Sequence, residues 1–188
     1  DPRVIYRYLE IGGAIFQNHD FGGHKTWEGF YHFGTLQFLN YYSANWNLGL
    51  YTETFNNNRT RGGPLTLNPA GYETTLSLAS DSRKDWVVSV GAGTFSFDPS
   101  YDWFTELSLE LRLMPNLSFI LSPLYQRTFE FAQYVDKYYD PTATNTYGSR
   151  YVFAELNQQT LSASLRLNWT FTPHLSLQLY VQPLISAG

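Results

Sequence analysis

The sequence predicts an all-β protein, an antiparallel transmembrane β-barrel fragment of about nine long strands. Three observations predict it. Apolar and polar residues alternate with a period of two over long runs. Most of the runs are about 11–14 residues, against about 5–6 in soluble sheets. Short connections alternate with longer ones, as the turns and loops of an outer-membrane barrel do.

Taken in order, the first strand covers 3–16 and ends at the loop Gln17–Thr26. The second, 27–40, meets the short turn Asn40–Ala44. The third, 44–56, runs into the long loop Asn57–Pro69. The fourth, 70–80, is followed by the turn Ser80–Lys84, and the fifth, 84–97, by Asp98–Tyr101. In the sixth, 102–113, Leu107, Leu109, Leu111 and Leu113 alternate with Glu106, Ser108, Glu110 and Arg112. Successive strand residues point to opposite faces, so this ribbon has one apolar and one polar side. The seventh, 117–134, follows the turn Met114-Pro115-Asn116 and alternates Leu117, Phe119 and Leu121 with Ser118, Ile120 and Ser122. The eighth, 149–171, comes after the longest loop, Val135–Gly148. Its apolar residues change phase between Leu156 and Leu161, which predicts a bulge near Asn157–Gln159. The ninth, 175–187, follows Thr172-Pro173-His174 and repeats the Pro-x-Leu-Ser pattern of the seventh. Pro123 and Pro183 lie within strands, where a missing N–H predicts a bulge or an end of pairing near the rim.

Composition narrows the classes further. The 188 residues hold 12 Lys+Arg against 16 Asp+Glu, a net charge of -4, with no basic run to neutralise phosphates. Nucleic acid is therefore not an expected partner. Cysteine is absent, which excludes disulfides, thiol nucleophiles and thiolate metal sites. No apolar run approaches the ~20 residues of a spanning helix. Aromatics make up 18% of the chain, and Trp27, Tyr41, Tyr42, Trp46, Trp86, Tyr101, Trp103, Trp169 and Phe171 fall near strand ends, where interfacial girdles form. Only three Lys are present, fewer than a water-washed sheet carries. A soluble β-sheet binding module is the competing architecture. It would turn the leucines inward between two layers.

The chain opens Asp1-Pro2-Arg3, with neither an initiator Met nor a signal peptide, and closes Ser186-Ala187-Gly188 directly after a strand-like run. It is expected to be part of one barrel domain in a longer protein. An odd strand number cannot close an antiparallel barrel, so further strands are expected elsewhere.

Several residue groups are candidates for function. Glu106, Glu110 and Arg112 share one polar face and Arg166 and Asn168 another, with Glu53 and Glu73 nearby. Such a lumenal ladder braces a wall or tunes solute passage; a carboxylate pair in it would be needed for a membrane-associated hydrolase. The segment Thr60-Arg61-Gly62-Gly63-Pro64 combines tight-turning glycines with a cation. It predicts either an anion site or a loop folded inward and pinned by Arg61 to wall carboxylates. Tyr134, Tyr138, Tyr139, Tyr147 and Tyr151 crowd the longest loop beside Asp136, Asp140, Asn145 and Arg150, a set suited to glycans or to a loop packed on itself. His19, Asp20, His24 and His32 have no metal-ligand spacing, and neither metal nor cofactor is expected. Without a Gly-x-Ser-x-Gly elbow no serine hydrolase is indicated, and catalytic residues are not expected.

The tracts Ala132 to Val135, Tyr147 to Leu156 and Arg166 to Ile185, together with Thr60 to Pro64, resemble one group of bacterial outer-membrane proteins. These join an N-terminal carbohydrate-binding module of the family-9 type to a C-terminal β-barrel domain of unknown function. The resemblance spans most of residues 35–188. It implies an outer-membrane location, a lipid bilayer as partner, and a carbohydrate or other small solute as ligand in the whole protein. It implies no catalytic residues.

Overall fold

A computed structural model describes residues 5–188. Residues 3 and 4 of the expected first strand lie outside the described residues. The main sheet is antiparallel throughout: β1 (Tyr6–His19), β2 (Lys25–Phe38), β3 (Ser43–Tyr51), β6 (Gly71–Ala79), β7 (Trp86–Phe97), β8 (Ser100–Met114), β9 (Leu117–Tyr139), β10 (Ser149–Thr172) and β11 (Leu175–Val181) pair in that order. β12 (Leu184–Ala187) continues the line of β11 against β10. A separate hairpin, β4 (Thr54–Asn56) and β5 (Thr66–Asn68), rises between β3 and β6. One 3-10 turn, Thr144–Thr146, caps the β9–β10 loop, and the described residues contain no α-helix. Among them β1 pairs only with β2, and β11 and β12 only with β10, so the sheet has two edges.

The ladders fix which side chains share a face, because directly paired residues point the same way. Asn45, Ser77, Gly91 and Glu106 form one such row, and Glu110, Ile120, Arg166 and Tyr180 another. These belong to the polar face. The opposite face carries the leucines of β8 and β11 and Leu161, Leu165 and Leu167 of β10, with Ile11, Ile15, Leu76 and Val90. It is uncovered. Ile15 is 86% exposed, Leu76 52% and Leu177 45%, and the buried hydrophobic residues among those described are Ala44 and Tyr51 alone. A two-layer soluble domain buries such residues by the dozen.

One row across the polar face alternates ring and glycine: Phe16, Gly29, Tyr51, Gly71, Phe97, on five successive strands. Each glycine leaves the room that its aromatic neighbours fill. A Cβ on Gly29 would meet the Tyr51 and Phe16 rings and the Leu50 carbonyl, and one on Gly71 would meet Phe97 and the Ser96 carbonyl.

Four local expectations need correction. The third strand does not run to residue 56. β3 stops at Tyr51, and Thr54–Asn56 turns away to pair with Thr66–Asn68. The bulge is not at Asn157–Gln159, where β10 pairs with β9 in unbroken register. The two irregularities lie at Val152/Phe153 and Ala154/Leu156, and the phase changes there: Tyr151 and Phe153 stand on the side of the hairpin, Val152 is exposed on the other side, and from Leu156 onward the even positions take the polar face. Neither proline causes a register shift or sits at the rim. Pro123 faces Ala163, and the Pro183 carbonyl accepts from the Ala163 N–H (3.1 Å), so the two interrupt pairing on either side of β10 without displacing it. Trp27 does not belong to an outward girdle. It stands on the polar face with its ring 4.6 Å from that of Tyr51.

Candidate functional site

The β4–β5 hairpin folds across the polar face because its own polar groups close it. Asn56 Oδ1 accepts from the backbone N–H groups of Asn58 (2.8 Å) and Arg59 (2.7 Å), an Asx turn that starts the bend. Arg59 then staples the two strands, donating to the Leu67 carbonyl (2.7 Å) and to Asn68 Oδ1 (3.0 Å). At the tip Thr60 donates to the Pro64 carbonyl (2.8 Å) and is 2% exposed. Arg61 (φ 50°) and Gly62 (φ 92°) both take left-handed conformations, which Gly62 adopts without a Cβ penalty.

The tip is pinned to the wall by rings. The Arg61 guanidinium lies 4.5 Å over the Tyr134 ring of β9, and a Cβ on Gly63 would meet the Tyr151 ring of β10. An inward-folded loop held by Arg61 is what the sequence suggests; the holding group is an aromatic face where a carboxylate was expected. Gly62 and Gly63 serve the bend and the contact with Tyr151.

Beneath the hairpin lies a cavity of about 530 Å³. β5 and Glu53 and Arg59 line one side; the β7–β8 turn and the upper part of β9 line the other. Trp27, Phe95 and Phe97 supply the rings, with Tyr51 5.4 Å from Phe97 behind them. Asp102 Oδ2 accepts from Gln126 (2.7 Å) and Thr128 (2.5 Å). Glu130 Oε1 accepts from Ser100 Oγ (3.1 Å) and from the Ala132 N–H (3.1 Å). A concave apolar space of this size with a few fixed polar groups is the usual form of a small-ligand site. Of these residues sequence reading singled out only Glu53 as chemically useful. Phe95 and Phe97 did carry a signal, since both continue the polar parity of Gly91 and Gly93 on β7.

The charged ladder is only partly assembled. Arg112 Nε donates to Glu110 (2.8 Å), and its Nη1 donates to the Ser82 carbonyl (2.8 Å), tying the wall to the β6–β7 turn. Arg166 lies over the Tyr180 ring (5.1 Å), and Glu106 covers Gly91. A second cavity of about 550 Å³ includes Asn45, Ser77, Glu106, Ser122 and Ser164, so β3 and β10 border the same polar space.

The tyrosines of the longest loop do not converge on the cavity. Tyr138, Tyr139 and Tyr147 are exposed at 58%, 82% and 75%. Arg150 donates to Asp140 (2.5 Å), which also accepts from the Thr142 hydroxyl (2.6 Å) and N–H (2.9 Å). The Thr142 hydroxyl, then Arg150, hold the Asp140 carboxyl down at about 2. At the histidine-rich loop, Asp20 accepts from the His24 N–H (2.9 Å), and that bond lowers its carboxyl from the usual range. His32 lies apart from it, accepting from the Trp46 indole (3.1 Å). Among the described residues no three of His, Asp and Glu are placed to hold one metal ion.

Residues 17–187 match a family described as Domain of unknown function (DUF5916), and the chain belongs to that family. No curated protein and no solved structure matches the chain.

Proposed function

We propose that this DUF5916 chain forms part of the wall of a bacterial outer-membrane β-barrel and serves there as a surface anchor or solute path. The observation that carries the reading is the uncovered leucine face. A sheet that leaves Ile15, Leu76 and Leu177 exposed while grouping Asn45, Ser77, Glu106 and Ser164 around a polar cavity suits hydrocarbon on one side and water on the other. In a bilayer every backbone group needs a partner, which long antiparallel strands supply. The lipid bilayer is the first partner of such a wall. The short turns 39–42, 80–85, 115–116 and 173–174 would face the periplasm, and the end bearing the β4–β5 hairpin and the β9–β10 loop would face outward. The link to glycan binding or uptake belongs to the carbohydrate-binding module that the family resemblance attaches to such domains.

These 188 residues contain no cysteine, which permits a direct test. Single variants Leu76→Cys and Ser77→Cys, carrying a nitroxide in the full chain reconstituted in vesicles, should divide cleanly. Oxygen, which concentrates in lipid, should relax the label at 76, and a water-soluble nickel chelate the label at 77. Equal relaxation of both by the chelate would mean that both faces see water, and the barrel reading would fall.

A further inference from the structure

We propose that the cavity beneath the β4–β5 hairpin is a receptor for an organic cation, an ammonium group carried on an apolar body. The argument starts from what the cavity offers. Its volume of about 530 Å³ suits a small organic molecule. Trp27, Phe95 and Phe97 present rings to it, and ring faces attract cations through their quadrupole.

Charge then decides among ligands. Four carboxylates border the space, Glu53, Asp98, Asp102 and Glu130, against the single guanidinium of Arg59. That guanidinium is already engaged, with the Leu67 carbonyl and Asn68. Asp102 and Glu130 are each held by donors on one oxygen, Oδ2 and Oε1, and no hydrogen bond within the described residues engages Oδ1 or Oε2. Glu53 and Asp98 stand exposed at the mouth. An anion would meet a net excess of three negative charges. A neutral molecule would gain from the rings alone. A cation gains from both, and more so inside a partly desolvated space than in water. The hairpin supplies the roof, and its attachment at Tyr134 and Tyr151 keeps that roof in place. None of this depends on the membrane reading, because the cavity lies at one end of the polar face.

The test uses the full chain in detergent and titration calorimetry with benzyltrimethylammonium as the probe, benzyl alcohol and cellobiose as neutral comparisons. The ammonium probe should bind and the neutral pair should not. The double variant Asp102→Asn, Glu130→Gln should weaken it about tenfold, and Trp27→Ala should do so independently. Because Asp102 and Glu130 also hold strand ends, Glu53→Gln is the second variant. Its side chain is exposed, so a several-fold loss there reports charge and not folding. Absence of binding by the probe, equal binding of either neutral compound, or binding unchanged in all three variants would overturn the proposal.

Discussion

The Arg61 guanidinium lies over the Tyr134 ring, 4.5 Å from its centroid. The contact joins the tip of a hairpin to a strand far along the sequence. Together with the contact of Gly63 on Tyr151 it holds the hairpin across the sheet end.

A double-mutant cycle should read that contact. Arg61→Ala and Tyr134→Ala are each expected to raise hydrogen exchange at the Arg61 amide, which donates to the Asn58 carbonyl in the tip. The coupling between the two should be about 0.5–1 kcal/mol, the value of a cation–π pair at a partly exposed site. Purely additive effects would show that the guanidinium and ring do not hold the tip.

The ring–glycine row predicts an ordering among glycine variants. Gly29→Ala sets its methyl against the Leu50 carbonyl as well as two rings, and main chain cannot swing aside. Gly63→Ala meets only the far end of the Tyr151 side chain, which can rotate away. The first should cost about 1–3 kcal/mol of stability as an overpacked site, the second clearly less. Urea unfolding of the two variants in parallel is the check, and an equal loss would remove the row's role in fixing the wall.

The same row shows where sequence reading stops. Period two exposed nearly every strand of the sheet, because Leu107 to Leu113 and Leu175 to Val181 repeat locally. Turn residues such as Pro115-Asn116 marked the short connections for the same local reason. Phe16, Tyr51 and Phe97, by contrast, sit at polar parity and look like exceptions within their own strands. Only the register across five strands brings them beside Gly29 and Gly71, and register is a long-range property. The cavity was hidden likewise. Its roof turns away at Thr54 after a run that reads as one uninterrupted strand, and Asp102 and Glu130 become neighbours only once β8 and β9 pair.

The Asp140 cluster carries a pH dependence whose sign follows from its lowered carboxyl. Held at about 2 by Thr142 and Arg150, against about 3.9 in an unfolded chain, the group favours the ordered loop at any pH above the unfolded value. That contribution fades as pH drops from about 4 through about 2. Protection of the Thr142 amide, which donates to Asp140 (2.9 Å), should therefore fall over that interval in the native protein, relative to the intrinsic exchange rate at each pH. In Asp140→Asn that protection should be low and level across it. A native loop whose exchange shows no added dependence there would break the link between this carboxyl and loop order.

The strongest division of the molecule is between adjacent residues of one strand. Leu76 is 52% exposed on the uncovered face, while Ser77 borders the polar cavity with Glu106. In hydrocarbon, Leu76→Arg should cost about 2–4 kcal/mol if that position lies near the bilayer midplane. Ser77→Arg enters a space of about 550 Å³ beside a carboxylate and should cost little. In water the ordering vanishes, since an arginine at an exposed strand position is close to neutral. Unfolding of both variants of the full chain in vesicles separates the two cases. If Leu76→Arg were as stable there as Ser77→Arg, the leucine face would not be meeting lipid, however bare it stands.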